Sequence, residues 1–438
     1  MTTVDRIQAW RAVEALRAGV PNRDAVTFLG SSQPAIESTF RERLAKLPAS
    51  LENLRHIPSL GLAISGRFGS GKSHLLEYLQ HVALEGNLVT SRVVISKETP
   101  MYDRSKLFDA AVGSIATPDR RANGLQEITG RLQFRSEAFG HFFSNLNEQA
   151  TTWQRDPATD RGLAPWFAAT VYVLQNAPAN SEVADRIIRF WSGDPLPVSQ
   201  LRGWLRELGQ AAAFPIRGLR KAQLVPQRWR FLPMLIAAAG YAGWVIFVDE
   251  AELVGQYSIL QRAKSYAEMA RLLGALETDG LPGVLAVLAI ADNYNSVVLD
   301  GGKNDQFGIR ERLERRPSPD SQRIAAEAER GMQAIRDARL VKDLAHDSAQ
   351  AIVDKVRDLH AAAYQWQPPG PAVKDSFDAS LTIRQRIKAA LYEWDIRLLY
   401  PEITPKIAIS EQGPTYEERA ELEEFEGGSE DEPGGSEN

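Results

Sequence analysis

Gly66-Arg67-Phe68-Gly69-Ser70-Gly71-Lys72-Ser73 fits the pattern G-x-x-x-x-G-K-[ST] without a gap. An apolar run, Leu60 to Ile64, leads into it, and a helical pattern from Ser73 through about Ala83 follows. A strand, a glycine loop and a helix are the surroundings the pattern needs. The glycines let successive backbone N–H groups turn inward around phosphate oxygens. The helix that begins near Lys72 adds the positive end of its dipole. In that geometry Lys72 reaches the β- and γ-phosphates of a nucleotide, and the Ser73 hydroxyl holds Mg2+. A glycine-rich turn that happens to precede Lys-Ser is the plain alternative.

A second strand, Ser91 to Ser96, follows the loop's helix, and this strand–helix–strand order implies a parallel sheet. The next strong signal is Gly243-Trp-Val-Ile-Phe-Val-Asp-Glu250. A near-continuous apolar run ending in two acids reads as a buried parallel strand, and ligands sit beyond the carboxyl ends of such strands. Paired with Ser73, Asp249 would hold Mg2+ through water, and Glu250 would orient and deprotonate an attacking water. The alternative is a strand capped by solvated acids. Gly283 to Ala291 is another buried strand, ending in Asp292 and Asn293. A polar residue there can touch a γ-phosphate or the attacking water, and an Asp-Asn turn is the simpler explanation.

Gly308-Ile-Arg-Glu-Arg-Leu-Glu-Arg-Arg316 suits an arginine finger for a neighbouring subunit's nucleotide, with Arg312 the choice. An exposed helix of alternating charge explains it as well. Residues 321–365 read as long helices, with Ile324, Met332, Ile335 and Leu340 as apolar positions in the first part. After the break Gln367-Pro-Pro-Gly-Pro371, a last helix spans Leu381 to Leu399, and Arg384 near its start could fold back onto the γ-phosphate. Surface charge is the competing account.

Before the loop, residues 3–45 read as helices, with Ile7, Trp10, Val13, Leu16 and Ala18 at helical spacing and a second helix over Gln33 to Leu47. Residues 100–240 read as a helical insertion punctuated by proline. Within it, 202–230 holds Arg202, Arg206, Arg217, Arg220, Lys221, Arg228 and Arg230 against Glu207, interleaved with Trp204, Trp229 and the following Phe231. Such a cluster could contact phosphates and stack bases of DNA. A solvated helix face with core aromatics is the blander reading.

The 438 residues are enough for two to four structural units, and 44% hydrophobic content is ordinary for a globular chain. The absence of Cys excludes disulfides, thiol nucleophiles and Cys-ligated metals. The N-terminus shows no apolar signal core, and the apolar runs near 232–248 are broken by Pro233 and glycines, so no membrane span and a cytoplasmic location are expected. The net charge of -5 hides an asymmetry. Residues 411–438 carry eleven acids against Arg419, a net -10, which leaves +5 on the rest. That tail should be disordered.

In order, the chain offers a phosphate loop, second strand, Asp-Glu strand, sensor-like strand, arginine cluster and helical lid. This order resembles the additional-strand P-loop ATPases (AAA+), nearest to their initiator-like and STAND-like members. More narrowly, the chain resembles the ATP-binding proteins of bacteriophage-exclusion (BREX) defence systems, in particular the short BrxD-like members. The resemblance rests on Leu16-Arg-Ala-Gly-Val-Pro-Asn-Arg23, on Gly66 through Leu76, on Phe247-Val-Asp-Glu-Ala-Glu252 and on the arginine-rich stretch, and it covers roughly 5–400.

The resemblance implies an α/β AAA+-type P-loop NTPase with a parallel central sheet, a large helical insertion and a C-terminal helical lid or winged-helix-like region. Its expected parts are an N-terminal helical segment 1–50, an ATPase core 51–320 with the insertion at about 100–240, a lid or C-terminal domain 321–410 and the acidic tail 411–438. It implies ATP and Mg2+ as cofactors, with Gly66 through Ser73 and the adjoining His74 around the nucleotide, Ser73 and Asp249 at the metal, and Glu250, Lys72, Arg312, Arg384 and Asn293 in hydrolysis. Expected partners are other defence proteins, a helicase-like one among the candidates, DNA, and further copies of the chain in an ATP-dependent homo-oligomer. Relatives tend to carry Thr where Ala291 falls, which leaves the first sensor role to Asp292, Asn293 or nothing. Two rivals to a working ATPase follow: a slowly hydrolysing ATP-dependent switch, and a DNA-binding scaffold with a vestigial nucleotide pocket.

Overall fold

The computed structural model describes residues 5–403 except 21, 53–59, 120–122, 157–161, 179–180, 277–278, 316 and 371–380, and beyond them Pro405, Tyr416 and Glu417. Pro21, Arg316, Pro371 and the rest of the acidic tail, named above, lie outside the described residues.

Helices α1 (Arg6–Ala18), α2 (Arg23–Leu29) and α3 (Pro34–Glu52) precede β1 (Leu62–Gly66), α4 (Lys72–Glu85) and β2 (Val89–Val94). Seven helices follow: α5 (Arg104–Gly113), α6 (Gly124–Gly130), α7 (Glu137–Arg155), α8 (Pro165–Asn176), α9 (Glu182–Ser192), α10 (Val198–Glu207) and α11 (Lys221–Ala238). Then come β3 (Trp244–Asp249), a 3-10 turn (Ala251–Gln256), α12 (Ile259–Leu272), β4 (Val284–Ala291), a π-turn (Asn295–Leu299), α13 (Asp305–Glu314) and α14 (Pro319–Arg336). The two-residue β5 (Arg339–Leu340), α15 (His346–Tyr364) and α16 (Ile383–Leu399) complete the described elements.

The sheet is five-stranded in the order β2-β3-β4-β1-β5, and its pairs are all parallel. Side chains alternate across it. On β3 and β4, Ile246, Val248, Ala286, Leu288 and Ile290 join a core built with the seven inserted helices. Val245, Phe247, Leu285, Val287 and Ala289 point the other way, onto α3 and α4. Burial on both faces is why β3 and β4 read as continuous apolar runs.

A third core joins the two ends of the chain. Ala9, Val13 and Leu16 of α1 pack with Val353, Val356 and Leu359 of α15 and Trp394 of α16. The Arg17 guanidinium bridges to Asp395 at 2.8 Å, and Asp395 also meets His360 at 3.0 Å. The structure departs from the sequence reading at several places here. Ile7 and Trp10 lie outside the core at 57% and 49% exposure, because α1 presents Ala9 and Ala12 to α15 for close approach. Residues 321–365 are not continuous helix: Leu340 lies in β5, which pairs with Ile64 and Ser65. Where a helical lid or winged-helix-like region is expected, the described elements after α14 are β5, α15 and α16. The second strand begins two residues earlier than Ser91.

Gly331 carries the close contact between α14 and α12. A Cβ there would stand 1.9 Å from the Tyr266 carbonyl oxygen, a backbone atom that has no rotamer to retreat into. Gly331→Ala is therefore expected to destabilise the fold by about 3 kcal/mol or more, read as a lowered urea midpoint. An unchanged midpoint would show that the two helices can part without cost.

Candidate functional site

The carboxyl ends of β1, β4 and β3 lie side by side, and the register sets Gly66 against Ala291 and Val94 against Asp249. β1 ends at Gly66, and the chain turns through Gly69 and Gly71 at φ +76° and +99°, a region open to glycine. α4 then starts at Lys72. A side chain at Gly66 would force its neighbours to shift: a Cβ would stand 2.8 Å from Ser70 Oγ and 3.1 Å from Val341 Cβ. Lys72 is buried, and its Nζ donates to the carbonyls of Gly66 at 2.9 Å and Arg67 at 3.3 Å. Ser70 Oγ is buried without a hydrogen-bond partner. A buried orphan hydroxyl inside a loop of positive-φ glycines fits a phosphate oxygen.

Beside the loop lies a cavity of about 310 Å3, lined by Leu16 and Gly19 of the first turn, by Leu29 through Gln33, and by the loop itself. His74, Ile352, Lys355, Ile383, Arg384 and Ile387 close it from the other sides. Gln33 fastens one wall: its amide donates to Lys342 O at 2.9 Å and accepts from Lys342 N at 3.1 Å. His74 Nε2 lies 2.9 Å from Gly30 O. A carbonyl only accepts, so Nε2 carries the proton there. Burial pushes the imidazole's pKa down, the Gly30 bond partly offsetting it, which keeps the ring neutral at pH 7. The cavity's size and mixed lining suit the base and sugar of a nucleotide whose phosphates lie in the loop.

Asp249 is buried at the end of β3. Its Oδ2 accepts from Arg92 at 2.9 Å, and its Oδ1 accepts from the Glu250 N–H at 3.1 Å. Arg92 also donates to Glu77 at 2.9 Å and to Ser73 O at 3.4 Å. Among the described residues no group of three or more His, Asp or Glu could hold a metal alone. One carboxylate and one hydroxyl, Asp249 and Ser73, suit Mg2+, which keeps waters and takes phosphate oxygens as further ligands. Glu250 stands at φ +58°, a left-handed turn that swings it out of the strand direction. Burial raises its carboxyl pKa and Asp249 adds to the rise, while Lys72 and Arg384 oppose it.

Arg384 comes to the loop from α16. Its guanidinium carbon lies 5.1 Å from the centre of the Phe68 ring, and the Arg384 backbone N–H donates to Gly69 O at 3.4 Å. Thr382 and Gln385 cap that helix start reciprocally. The N–H of Asp292 donates to Gly66 O at 3.2 Å, so the end of β4 abuts the loop. Asn293 follows, exposed, with its Oδ1 accepting from Tyr416 at 2.8 Å. Arg312 is not brought to this chain's loop: it is exposed on α13, between Arg310, paired with Glu329, and Arg315, paired with Glu311.

Two charged residues near the site went unassigned in the sequence. Arg92 could have been noticed as the only charge in the second strand. Glu252 repeats an acid two residues after Glu250. It is 2% exposed, its Oε2 has no partner, and burial drives its pKa from 4.5 up to about 7 against the pull of Lys72. Between those two values the folded chain keeps a proton that the unfolded chain has released, so stability falls as pH rises from 4.5 through 7. Glu252→Gln, which cannot ionise, should therefore be more stable than the parent at pH 8 by on the order of 2 kcal/mol, with the gain vanishing toward pH 4.5. Urea unfolding at several pH values checks this; a gain independent of pH would show that Glu252 does not titrate in this range.

The basic stretch 202–230 divides. Arg202, Arg206, Arg217, Arg220 and Lys221 are exposed. The aromatics follow the blander reading: Trp229 and Phe231 are fully buried, and Trp229 stacks on Trp244 of β3. Arg228 is also buried, donating to the carbonyls of Gly193 and Asp194, and burial lowers its pKa to about 10. No helix among the described residues is long and apolar enough to cross a membrane.

A family model described as "BREX system ATP-binding protein BrxC/D" matches residues 10–193 and 223–389, most of the chain. No curated protein matches it, and no solved structure does. The unmatched stretch 194–222 contains the five exposed basic residues.

Proposed function

The chain belongs to the family of BREX system ATP-binding proteins BrxC/D, and from that premise we propose that it hydrolyses the ATP it binds and couples nucleotide state to assembly with other defence proteins. The observation that carries the reading is the convergence of Lys72, Asp249 and Glu250 at the ends of neighbouring strands, with Arg384 reaching the same loop from α16. Lys72 leaves the loop carbonyls for the β- and γ-phosphates. Ser73 and Asp249 would hold Mg2+, which would neutralise phosphate charge when bound. Glu250 takes a proton from the water that attacks the γ-phosphorus. The bond to the β-phosphate oxygen breaks, leaving ADP and phosphate. Arg384 reads the γ-phosphate from the lid, Asn293 touches it or the water from the end of β4, and Arg312 serves a neighbouring copy's nucleotide.

The position of β4 between β1 and β3 supports the AAA+ reading, with the core at 51–320, the insertion at about 100–240 and the lid at 321–410. The cytoplasm is the proposed compartment. DNA contact is proposed for the exposed arginines of 194–222, through backbone phosphates and without stacking. A slow switch is the second reading, favoured by Ala291, which places no polar group opposite Gly66.

Measuring phosphate release with ATP and Mg2+, together with mass in solution with and without ATP and DNA, tests these readings. Mg2+-dependent release and an ATP-dependent rise in mass are expected. Tight ATP binding with no release under any of these conditions would sink the hydrolytic reading.

A further inference from the structure

Tyr416 belongs to the acid-rich C-terminal stretch whose sequence reads as disordered, yet at 9% exposure it is part of the main core. Three contacts seat it. Its hydroxyl donates to Asn293 Oδ1 at 2.8 Å. Its ring meets Tyr294 edge-on, with centroids 5.7 Å apart. It fills the space left by Gly255, where a Cβ would stand 2.7 Å from the Tyr416 ring. Gly255 lies in the turn that follows Asp249 and Glu250, and Asn293 lies two residues beyond Ala291, the partner of Gly66. The tyrosine therefore touches both chain segments that leave the candidate site.

We infer that Tyr416 is a positioning residue for the nucleotide site: its hydroxyl holds the Asn293 amide with its oxygen turned away and its N–H2 donors free to face phosphate. An amide has one accepting and one donating end, so fixing the oxygen fixes where the donors point. An exposed Asn without that bond would rotate between both orientations. Beneath Tyr416 a chain of buried hydrogen bonds continues. Tyr294 Oη lies 2.9 Å from Tyr266 Oη, and Tyr266 donates to the buried Asp305, which also takes two bonds from Arg262. Burial keeps the Tyr416 phenol protonated across the physiological range, so it stays a donor. The inference rests on the proposal that Asn293 faces the reacting phosphate.

The test uses the full chain and the variants Tyr416→Phe, Asn293→Ala and their combination. In single-turnover hydrolysis Tyr416→Phe should slow the chemical step roughly three- to tenfold, while the Kd for ATP stays within about twofold. Asn293→Ala should slow it at least as much, and the double variant should match Asn293→Ala alone. A second readout does not need hydrolysis: chymotryptic release of the peptide 417–438 should be faster in Asn293→Ala than in the parent. If Tyr416→Phe turns over like the parent while Asn293→Ala is slow, or if the two effects multiply, Tyr416 does not position Asn293. If Asn293→Ala turns over like the parent, Asn293 does not act in hydrolysis and the inference fails with that role. Equal cleavage in Asn293→Ala and parent would show that the contact does not hold the segment, and would also overturn it.

Discussion

Glu250→Gln is expected to lower ATP turnover by on the order of 10²- to 10⁴-fold, the usual contribution of a general base, while ATP still binds. The substitution removes one negative charge beside Asp249 and keeps the side chain's length. Glu250 sits at φ +58°, and Gln has the same backbone preferences there, so the turn into the 3-10 segment should survive. Its raised carboxyl pKa also has a kinetic signature. The base must be ionised to accept a proton, so the parent's rate should fall on the acid side at a pH above the ordinary 4.5, and that limb should be missing from the residual rate of the variant. Rapid-quench hydrolysis and equilibrium ATP binding, measured on the same preparation, separate the two effects. Normal turnover by Glu250→Gln would move the base elsewhere, with Glu252 the next carboxyl to examine.

Lys72→Ala should weaken ATP binding by roughly 10²-fold, the loss of charge-assisted bonds to phosphate. Among the described residues Lys72 donates to the Gly66 and Arg67 carbonyls, so the variant should fold. The sharper readout is ligand-linked stability. At 100 times the parent's Kd, ATP with Mg2+ should stabilise the parent by about 2.7 kcal/mol, whereas the variant, near its own Kd, gains only about 0.4 kcal/mol. Thermal melting with and without nucleotide reads this directly. Equal stabilisation in both chains would mean that the phosphates are held by backbone alone.

Much of this was legible in the sequence, for physical reasons that can be named. The phosphate loop needs glycine where φ is positive, and Gly69 and Gly71 stand there. β3 and β4 are covered on both faces and so carry no polar alternation to confuse them. Other features leave weaker traces. β5 is two exposed residues held by pairing with β1, too short for any periodicity. The inward face of α1 leaves a weak trace because Trp10 and Ile7 outweigh Ala9 and Ala12 on any hydrophobic scale, whereas close helix packing favours the small residues. The aromatics of 204–231 look suited to bases only until the inserted helices are seen to need a core of their own. Arg92 and Tyr416 act through partners more than a hundred residues away, Asp249 and Asn293, and no local pattern encodes such a pairing.

The core shared by α1, α15 and α16 sets the order in which the chain can become competent during synthesis. The loop and the Asp249–Glu250 pair have been made once the ribosome has passed β3, yet the cavity beside them takes its walls from residues as far apart as Leu16 and Ile387. A nascent chain therefore has the loop long before it has both walls of the cavity. The inward face of α1 stays uncovered until α15 and α16 have emerged. On the proposed placement of the nucleotide, a chain cut short before Ile387 should bind ATP more weakly than one that extends past α16.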